Sequence, residues 1–396
     1  MKTAFDPWIF DQHLAPTSPF PLRIAIERAE GIYLYSPDGK RYTDLISGIG
    51  VSNLGHRHPK IIEAIKAQID KHLHVMVYGE FIQSPVNELA EELAKHLPVN
   101  LGCVYLVNSG TEANEGALKL AKRYTARSEI VSFKNSYHGS THGSLSVSGN
   151  EIKKSAYRPL LPDVRFLRFN EIVDLDLITE RTAAVIMETI QGDAGVRIPH
   201  REFMLKLRQR CDQTGALLIL DEIQCGMGRT GTLFAFEQFG ITPDILTIGK
   251  AFGGGLPMGA FIASREMMQV LTHDPMLGHI TTFGGNPVCC ASALATLKAI
   301  HEERLLHEVE AKGKLFESLL VHPHIQEIRR KGLMFAIDFD SAERVNRIVN
   351  QALNDGVICY WFLSTPHSFR IAPPLTITSQ QIRESCEVIL TAIAKS

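Results

Sequence analysis

Long runs of apolar residues are missing from this sequence. No stretch approaches the roughly 20 consecutive apolar residues that a membrane-spanning helix requires. The N-terminal segment also lacks the apolar core of a signal peptide, and its acidic residues Asp6 and Asp11 are unusual in a transit peptide. The sequence therefore predicts a cytoplasmic protein.

Regularly spaced cysteine pairs are missing as well. The seven cysteines are odd in number, and no C-x-x-C motif occurs among them. Such a set differs from the disulfide framework of a secreted protein and indicates a reducing compartment. We expect the cysteines to be buried as small apolar groups, and we expect no metal site.

The chain has no excess of charge of one sign. Its 41 lysines and arginines and 43 aspartates and glutamates give a net charge of −2. We therefore expect neither nucleic acid nor an anionic membrane as a partner. A balanced total is still compatible with a local basic pocket for a small anion.

Two nucleotide-binding motifs are also absent. The P-loop pattern G-x-x-x-x-G-K-[ST] occurs nowhere, and no G-x-G-x-x-G follows the early strands. The first absence excludes a P-loop enzyme. The second argues against a Rossmann oxidoreductase.

The chain does have enough apolar material for a large core, since 45% of its 396 residues are hydrophobic. At about 100–200 residues per domain, this length predicts two or three domains. We predict an N-terminal segment over 1–50 that packs with a small domain, a large domain over 51–290, and the small domain over 291–396. The N-terminal segment contains a predicted hairpin, Gly31–Tyr42, with its turn at Pro37–Gly39.

From about residue 60 the apolar pattern alternates between the helix and strand periods. Residues 61–73 and 85–97 have helical periodicity. Short apolar runs follow, at Cys103–Val107, Glu129–Phe133, Ala183–Met187, Ala216–Leu220 and Ile245–Ile248. Apolar strands separated by helices are typical of a buried, mostly parallel α/β sheet. After residue 290 we predict one long helix over 291–320, a strand over 333–339 and a short α+β tail.

The residues that follow each strand are candidates for chemistry, because open α/β sheets bind ligands beyond the carboxyl ends of their strands. Ser109-Gly-Thr-Glu112 follows a strand, opens a helix predicted to reach about Ala126, and has capping-box spacing. Free N–H groups, two hydroxyls and a glycine at a helix start can bind an anion such as phosphate. An ordinary helix cap accounts for the same residues equally well.

Asp221 and Lys250 each end a strongly apolar run. A carboxylate at that point is partly desolvated and needs a partner, either a protonated pyridine nitrogen or a structural ion pair or cap. A lysine drawn into an apolar pocket has a lowered pKa and can form Schiff bases, whereas most loop lysines are solvated. The glycines that follow Lys250 allow a flat ligand to approach closely.

Two further residues are weaker signals when each is considered alone. Tyr137, in Tyr137-His-Gly139 at another strand end, has a ring that can stack on a cofactor, although buried aromatic residues are common. Arg370 in the C-terminal tail can grip a substrate carboxylate with two hydrogen bonds, although a surface arginine is the default interpretation.

Taken together, these features resemble the class III (ω-amino-acid) aminotransferases, a family of fold-type I pyridoxal phosphate (PLP) enzymes. The resemblance extends from about Gly31 to Pro374, and it includes the interval between Asp221 and Lys250. The matching stretches are Gly48–Val51, Leu54–Pro59, Asn108–Asn114, Tyr137–Gly139, Glu188–Gly195, Leu220–Gln224, Gly249–Lys250, Thr281–Pro287 and Arg370–Pro374. The family's fold has a large, mostly parallel sheet domain and a smaller α+β domain, and we expect both here.

The resemblance implies a reaction. Lys250 would hold PLP as a Schiff base, and Asp221 would keep the pyridine nitrogen protonated so that the ring acts as an electron sink. An amino acid or ω-amine donor would displace Lys250, which would then move a proton as a positioned base. An oxo acid, which we expect to be 2-oxoglutarate, would accept the amino group in a ping-pong cycle.

The resemblance also implies a set of binding contacts in a homodimer with shared active sites. Ser109, Gly110 and Thr111 would bind the phosphate, together with Thr282 of the other subunit. Tyr137 would stack on the ring, Gln224 would bond the ring hydroxyl, and His138 and Glu188 would also bind the cofactor. Arg370 would bind the α-carboxylate, with Ile49 and Asp193 also at the substrate.

The chain departs from the family at positions that concern the substrate. Many relatives that use acetylornithine, ornithine or 4-aminobutyrate have an arginine where this chain has Ser140, so all three substrates are in doubt. Ornithine enzymes carry tyrosine at the position of Ile49, which is instead similar to the acetylornithine and 4-aminobutyrate enzymes. The family's gate carboxylate, which masks Arg370, is usually glutamate. Asp193 is one methylene shorter, so the sequence leaves open whether its carboxylate contacts Arg370.

Other functions on this scaffold stay open at the level of sequence. Racemases, aminomutases and decarboxylases of the family share the lysine and the aspartate, and only transfer of amino groups to an oxo acid separates them from a transaminase. A catalytically inactive scaffold protein is disfavoured, because Lys250, Asp221 and Arg370 are all present.

Overall fold

The computed structural model describes residues 5–396. Within this range the strands are β1 (Arg28–Glu30), β2 (Tyr33–Tyr35), β3 (Arg41–Asp44), β4 (Cys103–Val107), β5 (Glu129–Phe133), β6 (Val164–Leu167), β7 (Thr182–Glu188), β8 (Leu217–Asp221), β9 (Ile245–Ile248), β10 (Gly259–Ala263), β11 (Glu327–Lys331), β12 (Met334–Asp338), β13 (Val357–Ile358), β14 (Tyr360–Trp361) and β15 (Ser368–Ile371).

The described range also contains α-helices. They are α1 (Pro7–His13), α2 (Ser47–Gly50, a single turn), α3 (Pro59–Ile69), α4 (Ser84–Lys95), α5 (Gly110–Thr125), α6 (His142–Val147), α7 (Arg201–Thr214), α8 (Arg265–Gln269), α9 (Pro287–Glu302), α10 (Leu306–Leu319), α11 (Ala342–Asn354) and α12 (Ser379–Ala394). No helix in the described part of the chain is long and apolar enough to cross a membrane.

The central sheet has the strand order β4-β10-β9-β8-β7-β5-β6. Strands β5 to β9 run parallel to one another, and β10 lies antiparallel between β4 and β9. Every residue of β5, β7, β8 and β9 is buried, which explains why these strands are continuous apolar runs in the sequence. The predicted mostly parallel sheet is confirmed.

The two faces of this sheet are packed by different helices. Ile219 of β8 and Ile245 of β9 belong to one core cluster together with α5 residues such as Ala117. Leu218 and Leu220 belong to a second cluster on the opposite face, together with residues of α7. Because side chains alternate along a strand, the polar residue two positions after Ile219 points toward the α5 face.

Two smaller sheets are formed by strands from the N-terminal and C-terminal parts of the described range. One has the antiparallel order β11-β12-β15-β14, and the other has the order β1-β2-β3-β13, with β13 parallel to β3. The predicted hairpin is present, since β2 and β3 pair antiparallel around a turn that contains Gly39. The division of the chain at residues 50 and 290 stays a prediction.

The prediction of one long helix over residues 291–320 is wrong. The structure has two helices, α9 and α10, and Arg304 between them has a positive φ of 53°. A residue in this left-handed conformation interrupts a right-handed helix. The apolar periodicity continues through the break because Leu305 is buried against the core, so the sequence pattern does not show the interruption.

Candidate active site

Three polar side chains meet at the carboxyl edge of the central sheet. Glu188 ends β7, Asp221 ends β8 in register beside it, and Lys250 follows β9 after one residue. A cavity of about 210 Å³ opens at this edge, and it is lined by Gly110, Thr111, Tyr137, His138, Gly139, Ser140, Glu188, Ile190, Asp221, Ile223, Gln224, Cys225 and Lys250. The structure thus brings together most of the residues that the sequence predicted at a cofactor.

Asp221 is a buried carboxylate with three hydrogen-bond donors. Its Oδ2 atom accepts from Asn114 Nδ2 and from His138 Nδ1, each at 2.8 Å. Its Oδ1 atom accepts from the backbone N–H of Ile223 at 3.0 Å. A buried carboxylate without partners would be costly, and these contacts hold Asp221 in one orientation at the cavity.

Both backbone polar groups of His138, its N–H and its C=O, form hydrogen bonds with side chains. Its N–H donates to Ser148 Oγ at 3.0 Å, and its C=O accepts from Asn114 Nδ2 at 2.7 Å. The contact to Asp221 requires a proton on Nδ1. The ring is fully buried, and its Nε2 atom has no hydrogen-bond partner among the described residues.

Glu188 is a buried acid beside Asp221. Its carboxyl oxygens accept from the backbone N–H groups of Tyr137 at 2.9 Å and of Gly192 at 2.8 Å. Burial raises the pKa of Glu188 to about 7, the charge of His138 opposes this shift, and the charge of Asp221 adds to it. The pKa of Glu188 is therefore close to neutral pH. Its two hydrogen bonds join the Tyr137 loop, residues 134–141 between β5 and α6, to the loop after β7.

Lys250 enters the cavity from a strained backbone position. Its φ is +46°, and a Cβ atom on the preceding Gly249 would lie 3.2 Å from Gly110 Cα. Burial lowers the pKa of Lys250, while the negative charges of Asp221 and Glu188 oppose the change. A lysine with a lowered pKa carries more free amine at neutral pH and is a better Schiff-base former.

The start of α5 has the features of an anion site. Ser109 is its N-cap and accepts from the Glu112 N–H at 3.2 Å. The predicted capping box is only half present, because Glu112 bonds the N–H of Asn108 at 2.6 Å instead of that of Ser109. The helix has 16 residues, and its first two, Gly110 and Thr111, line the cavity, so its positive end faces the space beside Lys250.

The Tyr137 loop forms the opposite wall of the cavity. The Tyr137 hydroxyl lies 3.3 Å from Ser140 Oγ, and 40% of the residue is exposed. Gly139 has a φ of 135°, and a Cβ atom there would lie 2.2 Å from Thr111 Oγ1. Only glycine fits this position, because it brings the loop against the start of α5.

Arg370 lies on β15 and is buried. Its Nη2 atom donates to the C=O of Trp361 at 3.3 Å, and its guanidinium carbon lies 4.7 Å from the Phe362 ring centroid. Burial lowers the pKa of Arg370, and the charge of Asp193 opposes this shift. The aromatic segment before β15 therefore contacts the predicted carboxylate-binding arginine.

Asp193 does reach Arg370. Its Oδ1 atom lies 4.0 Å from Arg370 Nη2, a loose ion pair. Its Oδ2 atom accepts from Lys153 Nζ at close range and from Ser364 Oγ at 2.5 Å. Asp193 is therefore bound more tightly to Lys153 and Ser364 than to the arginine.

Five of the predicted site residues do not line the Lys250 cavity, namely Ile49, Ser109, Asp193, Thr282 and Arg370. Ile49 is half-buried, has a φ of 66°, and packs against the small cluster that includes Tyr42 and Ile358. Its neighbour Gly50 lies close to Gln224, since a Cβ atom there would be 3.9 Å from Gln224 Cγ. Thr282 is exposed and does not line the cavity of its own chain.

Sequence reasoning missed the role of Asn114. Its amide donates to Asp221 and accepts from Thr247 Oγ1 at 2.8 Å, so it joins β8, β9 and α5. Asn114 lies four residues after Gly110, on the same helix face, and this spacing is the signal that could have identified it. Lys153 and Ser364 were also missed, and nothing local in the sequence indicates their contacts with Asp193.

The comparisons with known proteins identify the family. Residues 15–393 match the aminotransferase class-III model. Acetylornithine aminotransferase from Bacillus subtilis is 38% identical, and the match covers 94% of this chain and 95% of that protein. The [LysW]-aminoadipate semialdehyde/glutamate semialdehyde transaminase from Sulfolobus acidocaldarius is also 38% identical, with 94% and 95% coverage.

Solved structures agree with this assignment. The ornithine aminotransferase from Toxoplasma gondii, whose structure shows partial occupancy of PLP, superimposes with a TM-score of 0.92 at 28% identity and 100% and 95% coverage. A transaminase from the marine bacterium Virgibacillus gives 0.91 at 27% identity, with 98% of both chains covered. The chain therefore belongs to the class III aminotransferases and is a transaminase.

Proposed function

We propose that this transaminase holds PLP covalently through Lys250 Nζ, in the cavity at the carboxyl edge of the central sheet. The observation that carries the proposal is the combination of Lys250, whose pKa is lowered by burial, with Asp221 and the start of α5 around one cavity. A positive helix end suits a phosphate, and a buried carboxylate suits a protonated pyridine nitrogen. The residues present therefore fit this cofactor.

When bound, PLP supplies an electron sink for the bond that breaks at the substrate carbon. We assign Asp221 to hold the proton on the pyridine nitrogen, supported by its two contacts with Asn114 and His138. Glu188 fixes the backbone of Tyr137, which places the ring to stack on the cofactor. Gln224 lines the same cavity and is assigned to the ring hydroxyl.

The phosphate would lie at the start of α5. Gly110 and Thr111 line the cavity, and the Ser109 hydroxyl is engaged by the Glu112 N–H. Thr111 Oγ1 is held within hydrogen-bonding distance of Thr141 Oγ1 at 2.8 Å and Ser144 Oγ at 2.6 Å. These hydroxyls form a polar network that can donate to phosphate oxygens.

Lys250 and Arg370 would act on the substrate. With the cofactor bound, Lys250 Nζ would be the base positioned to move a proton at the substrate carbon that carries nitrogen. Arg370 would bind the α-carboxylate, because Asp193 at 4.0 Å is the only anionic partner of its buried guanidinium among the described residues. Asp193 stands close enough to compete for Arg370 when an ω-amine without that carboxylate binds.

The amino acceptor is proposed to be 2-oxoglutarate. For the donor, the names of the relatives suggest acetylornithine or a related semialdehyde-forming amino acid. Ser140 opposes this, since a hydroxyl cannot replace an arginine that grips a distant carboxylate with two bonds. We therefore propose an amino acid or ω-amine donor other than acetylornithine.

A homodimer with shared active sites is proposed from an apolar surface around Thr282. Tyr78 N–H donates to the C=O of Thr281 at 3.2 Å, which holds two loops together. These loops expose large apolar side chains, among them Val75, Met76, Phe81, Ile82, Met276, Leu277, Ile280 and Phe283. A second copy of the chain would cover this surface and bring Thr282 to the neighbouring phosphate.

All seven cysteines are free in the structure, which supports the proposal of a cytoplasmic location. A cell fractionation followed by blotting would test it. Recovery of the protein in an oxidising compartment with paired cysteines would contradict it.

The function is tested by the first half-reaction alone. The PLP-loaded enzyme, mixed with a panel of amino donors and no acceptor, should release one equivalent of carbonyl product and then stop. Added 2-oxoglutarate should restart turnover. Continuous turnover without an acceptor, with inversion of the donor or release of CO₂, would instead indicate a racemase or a decarboxylase.

The same panel tests the donor. We expect acetylornithine to be slower than the best donor, because Ser140 offers no charge to its distant carboxylate. Acetylornithine activity equal to that of the best donor would contradict this part of the proposal.

A further inference from the structure

Lys153 is a cation beside the candidate active site that has no role in the function proposed above. It follows β5 and α6 in the chain, on a short helical turn at Glu151–Lys153. Its Nζ atom contacts Asp193 Oδ2 directly and lies 5.4 Å from the ring centroid of Tyr137. About a quarter of its side chain is exposed, so it is partly desolvated but accessible to a small molecule.

The charges around Lys153 do not balance. Asp193 lies between two cations, Lys153 on one side and Arg370 at 4.0 Å on the other. The adjacent acid, Glu151, is committed to Arg158 at 2.5 Å and lies within 3.9 Å of Lys154. One carboxylate thus serves two partly buried cations, and the cluster keeps one positive charge that favours an anion.

The space in front of Lys153 is adjacent to the Lys250 cavity. A second cavity of about 330 Å³ is lined by Lys153, His142 and Tyr157, together with Tyr137, Gly139 and Ser140. The last three residues also line the cavity that contains Lys250. These three residues are the lining that the two cavities share, so an oxo acid at Lys250 would have to pass Tyr137 and Ser140 to reach the Lys153 ammonium group.

We propose that Lys153 binds the second carboxylate of the oxo-acid acceptor and thereby selects dicarboxylic acceptors over monocarboxylic ones. This rests on the proposed function, in which Arg370 binds the first carboxylate. An ammonium group has three donors, so Lys153 can keep one bond to Asp193 and offer the others to the substrate. The hydroxyl of Ser140 lies along the same path and can donate a further bond.

The charge of Lys153 is tested by comparing two acceptors in the holoenzyme. For Lys153→Met we expect the ratio of kcat/KM for 2-oxoglutarate to that for pyruvate to fall about 10-fold or more, because only 2-oxoglutarate has the second carboxylate. Lys153→Arg should keep most of the ratio. The matched control is Arg158→Gln, which removes an exposed cation from the same segment and should leave the ratio unchanged.

The ratio separates selection from a structural role. Removal of Lys153 also frees Asp193 to pair with Arg370. That pairing would weaken the binding of both acceptors equally, so it would leave the ratio of their kcat/KM values unchanged. An unchanged ratio in Lys153→Met would therefore overturn the proposal. If the wild-type enzyme transfers no amino group to either acceptor, the proposed function fails instead.

A binding measurement keeps the test independent of turnover. Glutarate has two carboxylates and valerate has one at a similar chain length. We expect glutarate to stabilise the wild-type holoenzyme against heat more than valerate does, and we expect Lys153→Met to remove this difference. Should that variant fold poorly, Lys153→Gln serves as the second neutral variant, and a preserved preference for glutarate in a folded neutral variant would overturn the proposal.

Discussion

His138 Nδ1 lies 2.8 Å from Asp221 Oδ2, and both side chains are buried. The pair joins the Tyr137 loop to the end of β8, so the carboxylate at the cavity cannot rotate independently of that loop. Asn114 bonds both the His138 carbonyl and the Asp221 carboxylate, which completes a rigid triangle behind the proposed pyridine nitrogen. The orientation of Asp221 is therefore set by the side chains of His138 and Asn114.

The first prediction concerns this pair. Asp221→Ala should lower kcat at least about 100-fold, because the ring nitrogen loses the group that keeps its proton. His138→Leu, which removes one bond to a charged group, should cost roughly 10- to 100-fold. Steady-state kinetics with cofactor content measured by absorbance checks both values. A larger loss in His138→Leu than in Asp221→Ala would contradict the assigned order of importance.

The second prediction concerns Arg370. Arg370→Met should raise KM for amino acid donors roughly 100-fold, since a buried charge-assisted contact to the α-carboxylate is lost. Amines without a carboxylate provide the internal control, and their kinetics should change little. Equal losses for amino acids and simple amines would show that Arg370 acts on the fold rather than on the carboxylate.

The third prediction concerns the close contact at Gly139. Gly139→Ala should weaken cofactor retention about 10-fold or more, because its Cβ would collide with Thr111 Oγ1 at the start of α5. The matched control is Gly39→Ala, where φ is also positive but no atom lies within 4 Å of the new Cβ. Titration of the cofactor-free chain with PLP measures the effect. Equal affinities in the two variants would contradict the proposed contact between loop and helix.

The fourth prediction concerns pH. Burial raises the pKa of Glu188 to about 7, so the folded chain keeps a proton there that the unfolded chain loses near pH 4.5. Stability from this group is complete below about pH 4.5 and is lost as pH rises through 7, by an amount on the order of 3 kcal/mol. Glu188→Gln should flatten that part of the stability curve in the cofactor-free protein.

Thermal unfolding between pH 5 and pH 8 measures this slope. Burial also raises the pKa of Glu222 to about 7, so a residual slope should persist in Glu188→Gln. Identical curves for the wild type and the variant would show that the proton is not bound at Glu188.

Much of the sheet edge was predictable from the sequence. The apolar runs before Asp221 and Lys250 predicted two parallel strands. Parallel strands have their carboxyl ends at the same edge of the sheet, so the two side chains were expected to lie there. Gly110 and Thr111 followed from the same rule, because their helix begins where β4 ends. These residues form the part of the site that depends on local pattern and on topology alone.

Contacts between distant loops were not predictable in this way. Lys153 and Asp193 are in contact although 40 positions separate them in the sequence, and Ser364 contacts Asp193 from 171 positions away. β10 consists of Gly-Ala-Phe-Ile-Ala, and its small residues gave little strand signal for the antiparallel insertion between β4 and β9. The break at Arg304 between α9 and α10 was hidden because a buried leucine follows it.

Lys250 remains the centre of this account, and borohydride reduction tests it most directly. The holoenzyme, treated with borohydride and digested, should give one peptide in which Lys250 carries the mass of the reduced cofactor. Lys250→Ala should yield no modified peptide and no measurable amino transfer. A modified peptide at any other lysine, or an active Lys250→Ala enzyme, would contradict the central claim.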